Sequence, residues 1–363
     1  MTAVNQSRSL PAGPRLSLRP ALLVPVLAVA FAAGAGLLLI AMIGVSVPKA
    51  IAAFVEGAFG SPFALAASLN RSSIFALVGF GFVLANRANL TNVGGEGQIA
   101  VGGMAATAVA LYGHVSGLPL GLAFILPMLA AVIAGALWGG IAAVLKVKSG
   151  TNEVISTLLL TFIGVWLLYW SVQSPLLLRK PMTSSATLPE SLEIPEPTQL
   201  PLLTGDYSFP VHIGLPLTLV LAIVIAVILS RTILGFRLRV VGLNPLAAKR
   251  AGISYAKTVI FAVSTAGAFG GLAGALMLLG EQYTLKDGFS SGYGFDGLVA
   301  GLLSRGSIPG VIAASLLFGF MRSGGINMEM VAAVPTALVA VIQGLIVIML
   351  AGAALFIEKW ERP

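Results

Sequence analysis

The sequence predicts an all-α polytopic membrane protein with about ten transmembrane helices arranged as two inverted repeats. Of its 363 residues, 57% are hydrophobic and only 9% are charged, whereas a soluble domain carries about 25% charged residues. Apolar stretches long enough to cross a bilayer as helices recur along the chain. The basic residues lie at the ends of these stretches, which also fits lipid surroundings.

Seven apolar stretches are clear candidates for membrane spans, and three more are interrupted by glycine. The clear candidates are 21–45, 72–86 (or from about 63), 120–145, 153–172, 213–230, 258–280 and 333–352. The interrupted ones are 93–112, 293–304 and 308–321. They define a transmembrane domain over 21–356, preceded by an arm at 1–20 and followed by a tail at 357–363.

The distribution of Lys and Arg predicts that both termini are cytoplasmic. With ten spans, 15 of these residues fall on inner segments and six on outer segments, which accounts for all 21. Cytoplasmic segments carry such an excess of positive charge. Two loops are long: an outer loop at 173–212, rich in proline, and an inner loop at 231–257 that carries most of the cytoplasmic charge.

Several kinds of chemistry are excluded by the residues that the sequence lacks. There is no cysteine and there are only two histidines, so a thiolate or histidine metal cluster is not expected. No phosphate-binding G-x-x-x-x-G-K-[ST] motif occurs, and the basic residues do not form an aromatic-laced patch of the kind that binds nucleic acid. We expect a transport protein without enzymatic activity, cofactor or nucleic-acid partner, driven by an ion gradient or by another subunit.

Two segments of the chain resemble each other and point to a translocation path. Residues 93–100 (VGGEGQIA) and 293–300 (YGFDGLVA) both place an acid between glycines, and the predicted topology gives them opposite directions. The units 72–172 and 258–352 are therefore candidate inverted repeats, and such interrupted spans mark transport sites. The candidate path residues are Asn92, Glu96, Gln98, Asn152, Glu153, Phe295 and Asp296.

These polar residues also have a structural interpretation. Acids inside a membrane are retained when they are functional or have partners. Glu96 and Asp296 could cap half-helices or accept hydrogen bonds from backbone N–H groups, and Asn92 and Gln98 share this ambiguity. Asn152 and Glu153 have the residue types of an N-cap and a first-turn acid.

A short helix is predicted inside the inner loop, at 244–253. Asn244 is a good N-cap, Pro245 suits the first helical position, and Gly252 suits the end. Because the segment has no core of its own, it fits a helix docked into a partner protein. The alternative is a surface helix on anionic lipid.

Four motifs occur in order at 89–98 (NLTNVGGEGQ), 152–160 (NEVISTLLL), 242–253 (GLNPLAAKRAGI) and 292–297 (GYGFDG). With them, the chain resembles permeases of bacterial binding-protein-dependent ABC importers, a family that includes ribose, branched-chain amino acid and nucleoside systems. The resemblance covers about residues 65–352, and the first, second and fourth motifs are most similar to the nucleoside branch.

The resemblance implies a type II importer fold in the bacterial inner membrane, with the path between two permease subunits that are usually different chains. It implies two further partners: an ABC ATPase with two nucleotide-binding domains, which binds ATP and Mg²⁺, and an extracytoplasmic substrate-binding lipoprotein. The implied ATPase-coupling residues are Asn244, Pro245, Ala247, Ala248, Arg250 and Gly252.

Because of two departures from the family pattern, the sequence does not identify the transported solute. Leu159-Leu160-Thr161 stands where Met-Leu-Asn is common, and residues 298–304 (LVAGLLS) replace the common Ile-Ala-Val-Ala-Leu-Leu-Gly. Nucleosides are the expected solute, with riboflavin or sugars as alternatives. An ion-coupled secondary transporter using Glu96 and Asp296 is a further alternative.

Overall fold

A computed structural model describes residues 18–119, 121–182 and 188–361, and most of these residues are helical. No β-strand occurs in these ranges, where only isolated bridges are found. The first six helices are α1 Leu18–Met42, α2 Val47–Phe59, α3 Pro62–Asn86, α4 Gly95–Tyr112, α5 Leu122–Ser149 and α6 Glu153–Gln173. The other seven are α7 Gly214–Arg231, α8 Ile233–Leu243, α9 Pro245–Arg250, α10 Tyr255–Met277, α11 Tyr293–Leu303, α12 Ile308–Ala332 and α13 Thr336–Glu361. The all-α prediction is confirmed.

Six of the described helices are long and apolar enough to cross a membrane: α3, α5, α6, α7, α12, and α10 together with the π turn that extends it to Gln282. Shorter apolar helices lie at Val26–Met42, Tyr293–Leu303 and Ala337–Leu350. The multi-pass membrane prediction is therefore confirmed. Each of the ten predicted spans coincides with a helix, while ten crossings remain a prediction.

The helix boundaries differ from the sequence prediction in several places. Helices α2 and α8 were not predicted, because their 13 and 11 residues include charged side chains and contain no long apolar run. Helix α3 begins at Pro62, where the Ser61 hydroxyl accepts a hydrogen bond from the Ala64 N–H at 3.1 Å. Helix α13 continues through Glu361 into the predicted tail. Most of the predicted N-terminal arm, residues 1–17, lies outside the described residues.

The described residues divide into two compact units, one comprising 54–324 and the other the described parts of 1–53 and 325–363. In the second unit, α1 packs against α13, and a Cβ added at Gly36 would lie 2.7 Å from Ile342 Cγ1. The Asn327 amide donates to the Ala53 carbonyl oxygen at 2.7 Å. The candidate site lies in the unit 54–324.

Glycines allow the helices of the unit 54–324 to pack backbone against backbone. A Cβ at Gly135 would lie 2.3 Å from the Gly267 carbonyl oxygen, which joins α5 closely to α10. A Cβ at Gly102 would lie 2.6 Å from Gly271, which joins α4 to α10. Small residues permit such approach between membrane helices, where dispersion replaces the hydrophobic driving force.

The surface of this unit is apolar where a soluble protein would be polar. On α5 the small residues Ala131, Gly135 and Gly139 recur every fourth position and are buried. Leu137, on another face of the helix, is 68% exposed. A helix with its small residues inward and its large apolar residues outward is suited to lipid.

Candidate functional site

The first irregular segment, residues 87–94, lies between α3 and α4 and is held by the start of α6. The Val93 N–H donates to Thr157 Oγ1 at 3.1 Å. The Thr91 N–H points at Glu153 Oε1 at 3.5 Å, and the other oxygen of Glu153 forms an ion pair with Lys146 at 2.5 Å. Buried backbone groups outside a helix need such partners. Glu153 therefore ties together α5, α6 and this segment.

Asn152 caps α6, as predicted. Its Oδ1 accepts from the Val154 N–H at 2.8 Å and faces the Ile155 N–H at 3.5 Å. It supplies acceptors for the free N–H groups of the first turn. Its observed contacts are those of a helix cap.

Asn92 and Gln98 form a closed pair of side-chain amides. The Asn92 Nδ2 donates to Gln98 Oε1 and the Gln98 Nε2 donates to Asn92 Oδ1, both at 3.1 Å. Asn92 Oδ1 also accepts from the Gly94 N–H at 2.9 Å. Gln98 is 1% exposed, and a Cβ at Gly270 would lie 2.6 Å from the Gln98 Cβ. The pair closes the turn into α4 and fits it against α10.

Glu96 joins the beginnings of α4 and α11. Its Oε1 accepts from the Gly292 N–H and its Oε2 from the Gly294 N–H, both at 2.7 Å. The residue is 6% exposed. A helix N-terminus has unpaired N–H groups and a partial positive charge, so the carboxylate satisfies two donors of α11 while lying in the first turn of α4. These contacts are the ones that the structural interpretation of Glu96 predicts.

The second irregular segment, residues 283–292, connects the π turn to α11. Gly292, at its end, has φ +86°, a conformation that suits glycine. A Cβ at Gly294 would lie 2.1 Å from the Glu96 backbone nitrogen, so no larger residue fits there. The two irregular segments thus lead into helices whose N-termini meet at Glu96.

Phe295 and Asp296 occupy a different position from Glu96. Both lie in the first turn of α11, where Phe295 is 38% exposed and Asp296 is half-buried. The two motif acids, which the sequence treats as equivalents, therefore have different surroundings. Glu96 is enclosed by backbone N–H groups, whereas α11 presents Phe295 on the surface of the chain.

The predicted short helix exists as α9. Asn244 Oδ1 accepts from the Leu246 and Ala247 N–H groups, both at 3.0 Å. Pro245 is the first helical residue, and Gly252, after the end, has φ +75°. The local prediction for 244–253 is confirmed, except that the last helical residue is Arg250.

The surface of α9 differs from the predicted set of coupling residues. Ala248 is fully buried within the chain, whereas Ala247 and Arg250 are exposed. Leu243 and Leu246 are 86% and 74% exposed, and the sequence analysis missed both. The signal in the sequence was two leucines beside basic residues in a short predicted helix of the inner loop. A helix that faces water rarely keeps such large apolar side chains unless a partner covers them.

An ion pair in the first half of α3 was also missed. Arg71 Nη2 lies 2.6 Å from Glu281 Oε1, with the glutamate on the π turn after α10. The signal in the sequence was Arg71 itself, which follows Asn70 and stands next to an apolar run. A charge in such a place needs a partner of opposite charge.

The two irregular segments before α4 and α11, together with the membrane-length helices, are typical of a membrane transport protein. Residues 64–351 match a family described as branched-chain amino acid transport system / permease component, and the chain belongs to this family. It is a permease subunit of an ABC transporter.

Three relatives illustrate this membership. The chain is 32% identical over 92% of its length to the guanosine ABC transporter permease protein NupP of Bacillus subtilis, of which it covers 93%. It is 35% identical over 92% of its length to the glucose ABC transporter permease protein TsgB13 of Haloferax volcanii, covering 87%. It is 30% identical over 71% of its length to the guanosine ABC transporter permease protein NupQ of Bacillus subtilis, covering 80%. No solved structure matches significantly.

Proposed function

We propose that this permease forms half of the translocation path of an ATP-driven importer for nucleosides. The observation that carries the proposal is the meeting of α4 and α11 at Glu96, each preceded by an irregular segment. Irregular backbone at membrane depth persists only where it is buried in protein or lines a cavity. Paired interrupted helices in the two halves of a transporter mark the substrate pathway.

Within this path, the predicted residues take different roles. Glu96, Asn92 and Gln98 hold the two half-helices in place through the contacts described above. Phe295, which is exposed, and Asp296, which is half-buried, both lie in the first turn of α11 and are the residues proposed to face the solute. The units 72–172 and 258–352 are proposed as inverted repeats of a type II importer fold with ten crossings and both termini cytoplasmic.

The proposed coupling element is α9. Leu243 and Leu246 expose apolar surface next to Arg250, and burial of such surface drives association between proteins. The partner is an ABC ATPase with two nucleotide-binding domains, which holds ATP and Mg²⁺, so this chain needs no cofactor or catalytic site of its own. Closure of the ATPase would move α9 and thereby tilt α8 and α10, which flank it.

Nucleosides are proposed as the solute because the two Bacillus subtilis relatives are guanosine permeases. The glucose permease TsgB13 favours a sugar as the second candidate. Similarity to both NupP and NupQ also supports a heterodimer of two related permeases. An extracytoplasmic binding lipoprotein would deliver the solute to this pair in the bacterial inner membrane.

Reconstitution in proteoliposomes tests the proposal. The chain co-purified with its second permease and ATPase should take up radiolabelled guanosine in the presence of ATP, and the chain alone should not. ATP-independent guanosine counterflow by the chain alone would instead indicate a secondary transporter.

The coupling role of α9 is tested in the same system. Leu246→Glu should weaken association with the ATPase and abolish uptake, because it places a charge on the apolar docking surface. Leu203→Glu, at another exposed leucine, is the matched control and should behave like wild type. Normal uptake with Leu246→Glu would contradict the coupling role.

A further inference from the structure

A polar cluster joins α3, the π turn and α12 at Arg71, in the first half of α3. The Arg71 Nε donates to Glu281 Oε1 at 2.8 Å, and its Nη1 donates to Ser323 Oγ at 2.8 Å. Arg71 belongs to α3, Glu281 to the π turn and Ser323 to α12. The Arg71 and Glu281 side chains are only 16% and 22% exposed. The cluster is therefore an enclosed ion pair with a net charge near zero.

Acceptor atoms of this cluster are buried without a protein donor. Among the described residues, no group donates to Glu281 Oε2 or to the neighbouring Gln282 Oε1. Gln282 uses its Nε2 to donate to the Phe289 carbonyl oxygen at 3.2 Å. A buried carboxylate oxygen without a hydrogen-bond donor costs free energy. Two such acceptors on consecutive residues call for a molecule that brings O–H or N–H donors.

A buried aromatic pair lies beside these acceptors. The Tyr293 ring stacks on Phe75 with centroids 4.9 Å apart, and the Arg322 guanidinium lies over the same tyrosine at 5.1 Å. Phe75 lies one helical turn after Arg71 on α3, which brings the tyrosine near the ion pair. Tyr293 is 4% exposed and Phe75 is fully buried, so this aromatic pair packs as a wall of the cluster and holds α11 against α3.

The π turn that carries the acceptors is held in place by the 174–213 connection, the residues between α6 and α7. The Leu200 N–H donates to the Leu279 carbonyl oxygen at 2.8 Å, and the Ile194 N–H donates to the Tyr283 carbonyl oxygen at 2.9 Å. Tyr283 itself has φ +58°, which is uncommon for a non-glycine residue. π turns of this kind are frequent at functional sites.

We propose that Glu281 and Gln282 form a binding site for the vicinal diol of a neutral solute, such as the ribose of a nucleoside. One oxygen of the Glu281 carboxylate is held by Arg71, and the other would accept a hydroxyl donor of the solute. Hydrogen bonds to an ionised acceptor are stronger than neutral ones. Because Arg71 balances the charge of Glu281, binding of the diol needs no charge on the solute. Arg71 is a positioning residue.

This inference rests on the proposed transport of nucleosides and is tested in the same reconstituted complex. Uptake of guanosine is compared with uptake of 2′,3′-dideoxyguanosine, which lacks both hydroxyls. Wild type should prefer guanosine by about 10-fold or more, as expected for loss of a hydrogen bond to a charged group. Glu281→Gln should remove most of this preference, because the amide is uncharged.

A second variant and a control distinguish binding from folding. Glu281→Asp keeps the charge but withdraws the carboxylate, and should also reduce the preference. Glu193→Gln, at an exposed acid of the 174–213 connection, should keep it in full. An unchanged preference in both Glu281 variants, or an equal loss of uptake for both solutes, would overturn the diol site while leaving nucleoside transport intact. A wild-type complex that carries neither solute would overturn the proposed function together with the site.

Discussion

Glu96 illustrates how one carboxylate serves two helices. Each of its oxygens accepts one N–H from the start of α11, while its own backbone lies in the first turn of α4. The favourable field of a helix N-terminus stabilises the negative charge without a basic partner. An acid inside a membrane protein is therefore explained here by backbone amides and needs no direct contact with solute.

Glu96→Gln should destabilise the chain. The amide has only one acceptor oxygen, so its NH₂ group would face the Gly292 or Gly294 N–H, at a cost of about 1–3 kcal/mol. The midpoint of thermal unfolding in detergent should fall, whereas Glu56→Gln, at an exposed acid, should leave it unchanged. An equally stable Glu96→Gln variant that has lost uptake would assign Glu96 to the solute instead.

His212 is a buried histidine beside the start of α7. Its Nδ1 accepts from the Gly214 N–H at 3.0 Å, while no described residue partners its Nε2. Burial lowers the pKa of His212 from 6.5 to about 4, because the charged ring loses its hydration. The folded protein therefore keeps this ring neutral in mildly acidic solution.

The stability of the protein should consequently fall as the pH falls. Above pH 6.5 the His212 ring is neutral in both the folded and the unfolded state. Between pH 6.5 and about 4 only the unfolded state takes up the proton, which lowers the free energy of unfolding by up to about 3 kcal/mol. His212→Asn should reduce the loss of thermal stability between pH 8 and pH 5. His114→Asn, at the other, exposed histidine, should retain the full loss. If both variants follow wild type, His212 is not the titrating group.

At the scale of elements, the junction of α4 and α11 depends on the absence of a side chain. The N-termini approach so closely that Gly294 contacts the backbone of Glu96. Because backbone atoms cannot move aside as a flexible side chain can, the contact fixes the spacing of the two helices. The glycines of the motif at 292–297 are thus explained by geometry.

Gly294→Ala should prevent the correct docking of α11. Its Cβ would lie 2.1 Å from the Glu96 nitrogen, so the helix start must shift and lose the hydrogen bonds to the carboxylate. We expect low yield and a broad, lowered unfolding transition in detergent. The control is Gly34→Ala in α1, where a Cβ meets nothing within 4 Å and alanine favours the helix. Wild-type yield and stability of Gly294→Ala would show that the junction of α4 and α11 has room for a methyl group at this position.

At the scale of the whole molecule, sidedness is the property on which the transport proposal depends. The proposed ten-span arrangement would put α9 in the cytoplasm and residues 174–213, between α6 and α7, outside. Since the sequence has no cysteine, single cysteines can report both positions without background.

Labelling with a membrane-impermeant thiol reagent should distinguish the two faces. Glu193→Cys should react in intact cells or spheroplasts, and Leu246→Cys only after permeabilisation, because both positions are exposed on the chain. The cysteine-free parent is the control. Reaction of Leu246→Cys in intact cells would place α9 outside and remove its role in coupling.

Much of the fold could be predicted because it depends on local chemistry. The α9 helix follows from Asn244, Pro245 and Gly252, and the start of α6 from Asn152, since a cap acts on neighbouring N–H groups. The span candidates follow from runs of apolar residues. Helix α3 was shortened in the prediction because Asn70 and Arg71 interrupt its run, and their partners are more than 100 residues away.

The sequence alone determined that this is a multi-pass membrane protein, where α6 and α9 begin, and which segments are interrupted. Only the tertiary structure decided which contacts the polar residues make. Glu96 lies 196 residues from Gly292, and Arg71 lies 210 from Glu281. A pattern of spacing cannot specify such pairs, because the partners of a buried charge are chosen by how helices pack and not by the residues beside it in the chain.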